Sequence, residues 1–242
     1  MTANDTVTEL ETAFEHLPAL IDSDPIVFYP YVSLTSLAMV IGFLGNIAIF
    51  ITLLARPDVQ KVGREFMANM CLADLCVTGL ADPLCIVAAI KGEKYLTERP
   101  ELCTLVASLC LTACFCAFFS LGCITASRTV FICHNRMYKS LFSRRKAIVQ
   151  CCLCWVLSLT AEAGNFLGWG GHFYDRKSES CAWQRTASSS YTFFVGVGLI
   201  SFPLTLMLAA NIKVLVKVHS TKASPSRRRH VSSGQANAST KR

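Results

Sequence analysis

Residues 103–128 read CTLVASLCLTACFCAFFSLGCITASR, an apolar run with no charge until Arg128 closes it. At about 1.5 Å of rise per residue, a helix from Cys103 to Arg128 spans roughly 37 Å, one bilayer with some tilt. A thiol then stands at one membrane edge and a guanidinium at the other. Strands of a membrane barrel would alternate apolar and polar residues over roughly ten positions. This run shows no such alternation. A helix is expected, because its backbone polar groups are satisfied within the segment.

Working outward from this run, four further blocks have the same character. Expected helices cover 26–55, 66–90, 102–130, 147–171 and 186–218. Each holds about the 20 predominantly apolar residues that a crossing needs. The 242 residues are 52% hydrophobic and only 16% charged, against roughly 25% charged in an average soluble domain. Mean hydropathy is +0.44. One soluble core cannot hide so much apolar surface, so the membrane is the expected solvent. The fold class that follows is an all-α membrane protein with five transmembrane helices. Residues 26–218 form the membrane domain, between an N-terminal segment, 1–25, and a polar tail, 219–242. The tail contains Arg227-Arg228-Arg229-His230 and reads as a disordered segment whose basic residues favour anionic membrane lipid. No internal repeat supports a transporter built from inverted halves.

Loop charge sets the orientation. With the N-terminus outside, inner segments 56–65, 128–146 and 213–242 hold 17 Lys or Arg and two acids, Asp58 and Glu65. Outer segments hold six Lys or Arg and 11 acids. The excess of Lys and Arg inside decides for an N-terminus outside and a cytoplasmic C-terminus. The basic residues thus serve as topology signals rather than a nucleic-acid face. Asn4-Asp5-Thr6 is a glycosylation acceptor on the outer side, whereas Asn237-Ala238-Ser239 is hidden inside. The N-terminus has no basic region and carries Asp5, Glu9, Glu11 and Glu15 before any apolar run. No cleavable signal is therefore expected, and the first helix would act as signal anchor.

Chemistry beyond packing is sparse. The 13 cysteines include no CxxC…CxxC pair with zinc spacing. Cys151, Cys152 and Cys154 read as buried or lipid-facing thiols, with palmitoylation as the alternative. His16, His134, His172, His219 and His230 are scattered over both sides of the membrane. There is no Gly-rich phosphate loop. No enzyme, resident metal or cofactor is expected.

Three acids, Asp74, Asp82 and Glu162, fall inside apolar blocks, at a cost of about 2.5–3.5 kcal/mol each on insertion scales. Asp74 stands in Leu72-Ala73-Asp74-Leu75. Gly45-Asn46 lies midway along the first block, Trp155 within the fourth and Pro203 within the fifth. In this order the set resembles the rhodopsin-like G protein-coupled receptors, over the first five of seven helices. Asn46 matches the family's first-helix Asn, and Asp74 its second-helix acid. Cys103 and Cys181 match its disulfide from helix three to the second outer loop; two free thiols are the alternative. Ser127-Arg128-Thr129 stands where the family carries Asp/Glu-Arg-Tyr, and Trp155 and Pro203 are landmarks of helices four and five.

A narrower resemblance, to melatonin receptors, rests on Ile132-Cys133-His134, Ser180-Cys181, Ser189-Ser190-Tyr191-Thr192 and the spacing onward to Pro203. Asn165 falls where those receptors hydrogen-bond ligand, and Trp183 where they stack an aromatic ring. Leu199 replaces a His, and Gln184 is one place short of their loop Gln. Cys110 occupies the position of the acid that pairs with cationic amines, which argues against such a ligand. Asn165 has a plain interhelical hydrogen bond as its alternative role.

The resemblance implies a multi-pass plasma-membrane receptor. A small extracellular ligand would bias a two-state bundle read by a heterotrimeric G protein. Arg128, with Ser127 and Thr129, would face the G protein. Ser127 cannot pair with Arg128 as the family's acid does, so Ser127→Asp is expected to lower basal signalling. Asp74 is a weak sodium candidate, since Ala117 stands where a hydroxyl commonly helps; an intramembrane polar hub with Asn46 is the alternative. Helices six and seven are not expected in this chain. That leaves two competing readings, a truncated non-signalling partner that binds or retains full-length receptors as a dimer, and an unrelated five-helix transporter or scaffold.

Overall fold

The computed structural model describes residues 25–56, 58, 62–175 and 180–222. Five helices among them are long and apolar enough to cross a membrane. They are α1 (Pro25–Ala55), α2 (Arg64–Lys91), α4 (Pro100–Cys133), α6 (Arg144–Phe166) and α7 (Ser189–Thr221). Two short helices, α3 (Glu93–Thr97) and α5 (Asn135–Leu141), lie in the connections. A two-stranded antiparallel hairpin, β1 (His172–Asp175) and β2 (Ser180–Trp183), lies between α6 and α7. Asn4, Asn237 and the tail from residue 223 fall outside the described residues.

Helix α4 is the hub. It packs against α2, α6 and α7, while α1 reaches the bundle through α2. Its buried positions run from Cys103 to Ser127. Many are Ala, Ser, Thr or Cys, small enough for neighbouring backbones to come close in a membrane bundle.

Two prolines shape the helices around them. Pro83 follows a wide π turn at Val77–Ala81 in α2, and Pro203 follows a π stretch at Phe194–Ser201 in α7. A proline has no N–H for the carbonyl four residues back, and its ring crowds that carbonyl. Widening the preceding turn relieves both problems. The Ser201 hydroxyl donates to the Gly196 carbonyl five residues back, at 2.7 Å, so a side chain satisfies part of the widened backbone.

Two boundaries depart from the sequence reading. The fourth helix ends at Phe166 rather than at 171. Gly168 adopts φ +82°, and at Gly170 an added Cβ would collide with the Asn165 side chain and meet Tyr191 at 2.9 Å. Apolar composition continues past the helix, but the backbone has already turned. The fifth helix begins at Ser189 rather than at 186, because the Ser188 hydroxyl caps it by accepting from the Tyr191 N–H at 3.3 Å. It continues through Thr221, so the first residues assigned to the tail are helical.

Candidate functional site

The end of the bundle that bears Cys103 is roofed by the hairpin, which is fastened twice. On β2, Cys181 forms a disulfide with Cys103 of α4, with Cα atoms 5.3 Å apart. On β1, His172 Nε2 lies 2.7 Å from Glu162 Oε1 of α6 and 3.3 Å from Ser108 Oγ of α4. The side chains of His172 and Glu162 are only 7% and 3% exposed. Register places His172 opposite Trp183 and Tyr174 opposite Cys181, so both fastenings act on one small sheet.

Glu162 and Asn165 sit one turn apart on α6. The Asn165 Nδ2 donates to Glu162 Oε2 at 3.0 Å, and Asn165 is 6% exposed. The Tyr191 hydroxyl donates to the Ala161 carbonyl at 3.0 Å, and the Trp183 ring meets Tyr191 edge-on at 5.7 Å. Asn165 is therefore enclosed by its own helix, the turn at Gly170 and Tyr191. Trp183 packs on the cluster of Phe115, Ala161, Tyr191 and Val195, whose rim includes Leu199. Cys110, seven residues beyond Cys103 on α4, is half-buried, and Cys114 one turn further is exposed. Sequence reading found no role for Glu162. Its signal was a carboxylate in an apolar helix ten residues before a histidine on the same outer side.

Midway through the bundle the expected pair of Asn46 and Asp74 is not formed. The Asn46 Nδ2 donates to its own helix at the Gly42 carbonyl, at 2.9 Å. That bond turns one of the two amide N–H groups back into α1, and among the described residues no hydrogen bond joins Asn46 to Asp74. The polar hub is built on Asn69 of α2 instead. Asn69 Nδ2 donates to Ser120 Oγ at 2.8 Å, and Trp155 Nε1 donates to Asn69 Oδ1 at 2.9 Å. Trp155 thus joins α6 to α2 across α4. Asp74 is half-buried, and its backbone carbonyl accepts from the Thr78 hydroxyl at 2.8 Å. Among the described residues no three His, Cys, Asp or Glu side chains converge as metal ligands.

At the end opposite the hairpin the three consecutive residues 127–129 part company. Arg128 is exposed. Ser127 is fully buried, and its hydroxyl donates to the Ile124 carbonyl at 2.8 Å. Thr129 is half-buried, and its hydroxyl donates to the Thr125 carbonyl at 2.8 Å. Ser127 therefore faces Gly63, at the start of α2, rather than the open end of the bundle. The Tyr138 hydroxyl on α5 meets the Gly63 backbone, and burial pushes its ionisation above the usual tyrosine range. Pro203 of α7 lines two apolar grooves beside Gly122 of α4.

The chain is similar to known proteins in sequence and in fold. The sequence pattern of the family described as "7 transmembrane receptor (rhodopsin family)" matches residues 45–241. Melatonin receptor type 1C of Xenopus laevis is 28% identical over 76% of this chain and 43% of its own length. The G-protein coupled receptor moody of Drosophila melanogaster is 27% identical over 78% of this chain and 28% of its own length. The chain spans about half the length of the melatonin receptors it matches. The crystal structure of squid rhodopsin superposes with a TM-score of 0.71 at 14% identity, covering 89% of this chain and 57% of that one. At that identity the likeness speaks for the arrangement of helices.

Proposed function

The chain belongs to the rhodopsin family of seven-transmembrane receptors, and on that premise we propose that it receives a small extracellular ligand and passes the signal to a heterotrimeric G protein. The observation that carries this reading is the build of α4. Its outer end is bonded to the hairpin through Cys103, and its inner end presents Arg128 to the opposite side. One rigid element therefore joins the hairpin-covered end of the bundle to an exposed guanidinium at the other. A ligand that favours one packing of α4 against α2, α6 and α7 shifts the inner surface by its differential affinity for the two states.

The chemistry of the outer half favours a neutral, largely apolar ligand. Cys110 offers no counter-ion to an amine. Glu162 is engaged by His172 and Asn165, and Asn165 by Glu162. Melatonin receptors stand among the relatives, which suggests an indole amide. The enclosure of Asn165 and the presence of Leu199 support a ligand read by other groups, with Trp183 and the Phe115 cluster as its apolar wall.

A second reading has its own support. In α1 only Phe28 and Leu53 are buried, and α7 leaves Phe193 and Leu208 more than half exposed. Such faces suit pairing with a second, full-length receptor. Co-expression tests it: a fall in the partner's surface level supports pairing, and an unchanged level speaks against it.

The test of the main reading is nucleotide exchange by purified heterotrimeric G protein, with the receptor held in lipid discs and screened against neutral small molecules. A ligand-driven response that Arg128→Ala reduces at least about tenfold is expected from loss of a transition in the coupled state. No response to any ligand, or one indifferent to Arg128→Ala, contradicts it.

A further inference from the structure

Three free thiols stand together in the half of the bundle that the hairpin covers. Cys85 of α2 and Cys110 of α4 are half-buried, and Cys114 of α4 is exposed. Cys110 and Cys114 are four residues apart, where side chains on a helix are neighbours, and the two thiols interact directly. Asp82 and Cys85, three residues apart on α2, lie within electrostatic reach of Cys110, and Asp82 also reaches Cys114. A half-buried carboxylate therefore stands beside a pair of thiols.

The patch lies directly beneath the roof. Ala88 of α2 and Ala107 of α4 pack with Cys103 and Cys181 in one buried cluster. Cys85 and Cys110 are each three residues further into the bundle, about 4.5 Å along their helices. Cys103 and Cys181 are joined, whereas the three thiols below them are unpaired.

The grouping discriminates among partners. A soft metal ion needs several ligands at one point, and among the described residues no three His, Cys, Asp or Glu side chains converge as metal ligands. A carbon electrophile needs only one sulfur and a base near it. Buried thiols are inert, but Cys114 is exposed, and an adjacent general base activates such a nucleophile. We infer that this patch captures a small, neutral α,β-unsaturated carbonyl compound by covalent addition to Cys114. The Cys114 sulfur bonds to the β-carbon, and the carbon–carbon double bond opens. The thiol proton passes by way of the Asp82 carboxylate to the α-carbon, so the step balances without a co-reactant. The inference rests on the proposed reading of this end of the bundle as a site for a neutral, largely apolar ligand, and it names that ligand's chemical class.

The full chain in phosphatidylcholine discs, treated with trans-2-nonenal, reduced with borohydride and mapped by peptide mass spectrometry, tests this. The adduct should form on Cys114 at least about tenfold faster than on Cys152, the other exposed free cysteine among the described residues. Saturated nonanal, which has no double bond to add across, should leave both unmarked. Asp82→Asn should slow the reaction of Cys114 at least about tenfold and leave that of Cys152 unchanged. The inference is overturned if Cys152 reacts as fast as Cys114, since exposure alone then governs, or if Cys114 takes up no adduct. Cys114 and Cys152 are compared within one unaltered chain, so a misfolded Asp82→Asn leaves that comparison intact. The labelling needs no G protein. An adduct on Cys114 without nucleotide exchange therefore counts against signalling alone, and exchange driven by a saturated ligand, with Cys114 inert to the enal, counts against covalent capture alone.

Discussion

The hydroxyl oxygen of Ser127 lies 2.9 Å from the point at which a side chain on Gly63 would begin. Gly63 holds φ +74°, a conformation that side chains resist. It leads into α2, where Arg64 Nε reaches back to the Leu53 carbonyl of α1 at 2.8 Å. Gly63, at the start of α2, is thus pressed onto α4. Gly63→Ala should cost about 1–3 kcal/mol from backbone strain alone, seen as a lower melting temperature in detergent; an unchanged melting temperature would contradict the packing. Ser127→Asp, which from sequence alone should quieten basal signalling, instead places a carboxylate in a filled, buried position. Loss of folded receptor is the expected result, and normal surface expression with lower basal activity would restore the earlier expectation.

Removing one side of the His172–Glu162 contact should loosen the hairpin without opening the disulfide. Glu162→Leu leaves the buried imidazole only its longer contact to Ser108 Oγ, at a cost of about 1–3 kcal/mol. Amide hydrogens in 172–183 should exchange faster by about tenfold or more. Glu162→Gln retains an acceptor and should recover much of the protection. Equal exchange in all three proteins would show that Cys103–Cys181 alone holds the loop.

Asn69 holds α2, α4 and α6 together through three side-chain bonds, to Cys116, Ser120 and Trp155. Interhelical bonds in membranes average about 0.6 kcal/mol and reach about 1.7. Asn69→Leu should therefore lower bundle stability by about 1–3 kcal/mol, and Trp155→Phe by roughly half as much. Additive losses in the double variant would show that the two residues do not interact.

Asn165→Ala should act on stability more than on ligand response. Its Nδ2 is committed to Glu162, and its Oδ1 is buried without a partner behind Gly170 and Tyr191, out of a ligand's reach. A melting temperature reduced by a few degrees, with ligand potency altered by less than about threefold, is the expected pattern. A potency loss of about a hundredfold with unchanged melting would return Asn165 to the ligand site.

The sequence exposed some levels of this structure and concealed others. Long apolar runs such as 103–128 are legible because a membrane crossing leaves little freedom in length or composition. Cys103, Trp155 and Pro203 were legible as landmarks through their order along the chain. The end of α6 was not, because Leu167 to Gly171 remain apolar while Gly168 turns the backbone. The hairpin was hidden because each strand is four residues long and held in place by Cys103 and Glu162 rather than by its own propensity. The polar hub was misplaced because Asn46 and Asn69 are chemically alike; only the direction of each amide separates a bond within α1 from one that joins three helices. Cys110 is legible as the place of a missing acid, but its grouping with Cys85, Cys114 and Asp82 spans two helices and is a property of packing.

The receptor reading rests on the hairpin and its disulfide lying on the extracellular side. Intact cells treated with a membrane-impermeant reductant and then an impermeant maleimide mass tag measure this directly. The prediction is that Cys103 and Cys181 take up the tag only after reduction, and without permeabilising the cells. Tagging of this pair only in permeabilised cells, or tagging without any reductant, would contradict the account.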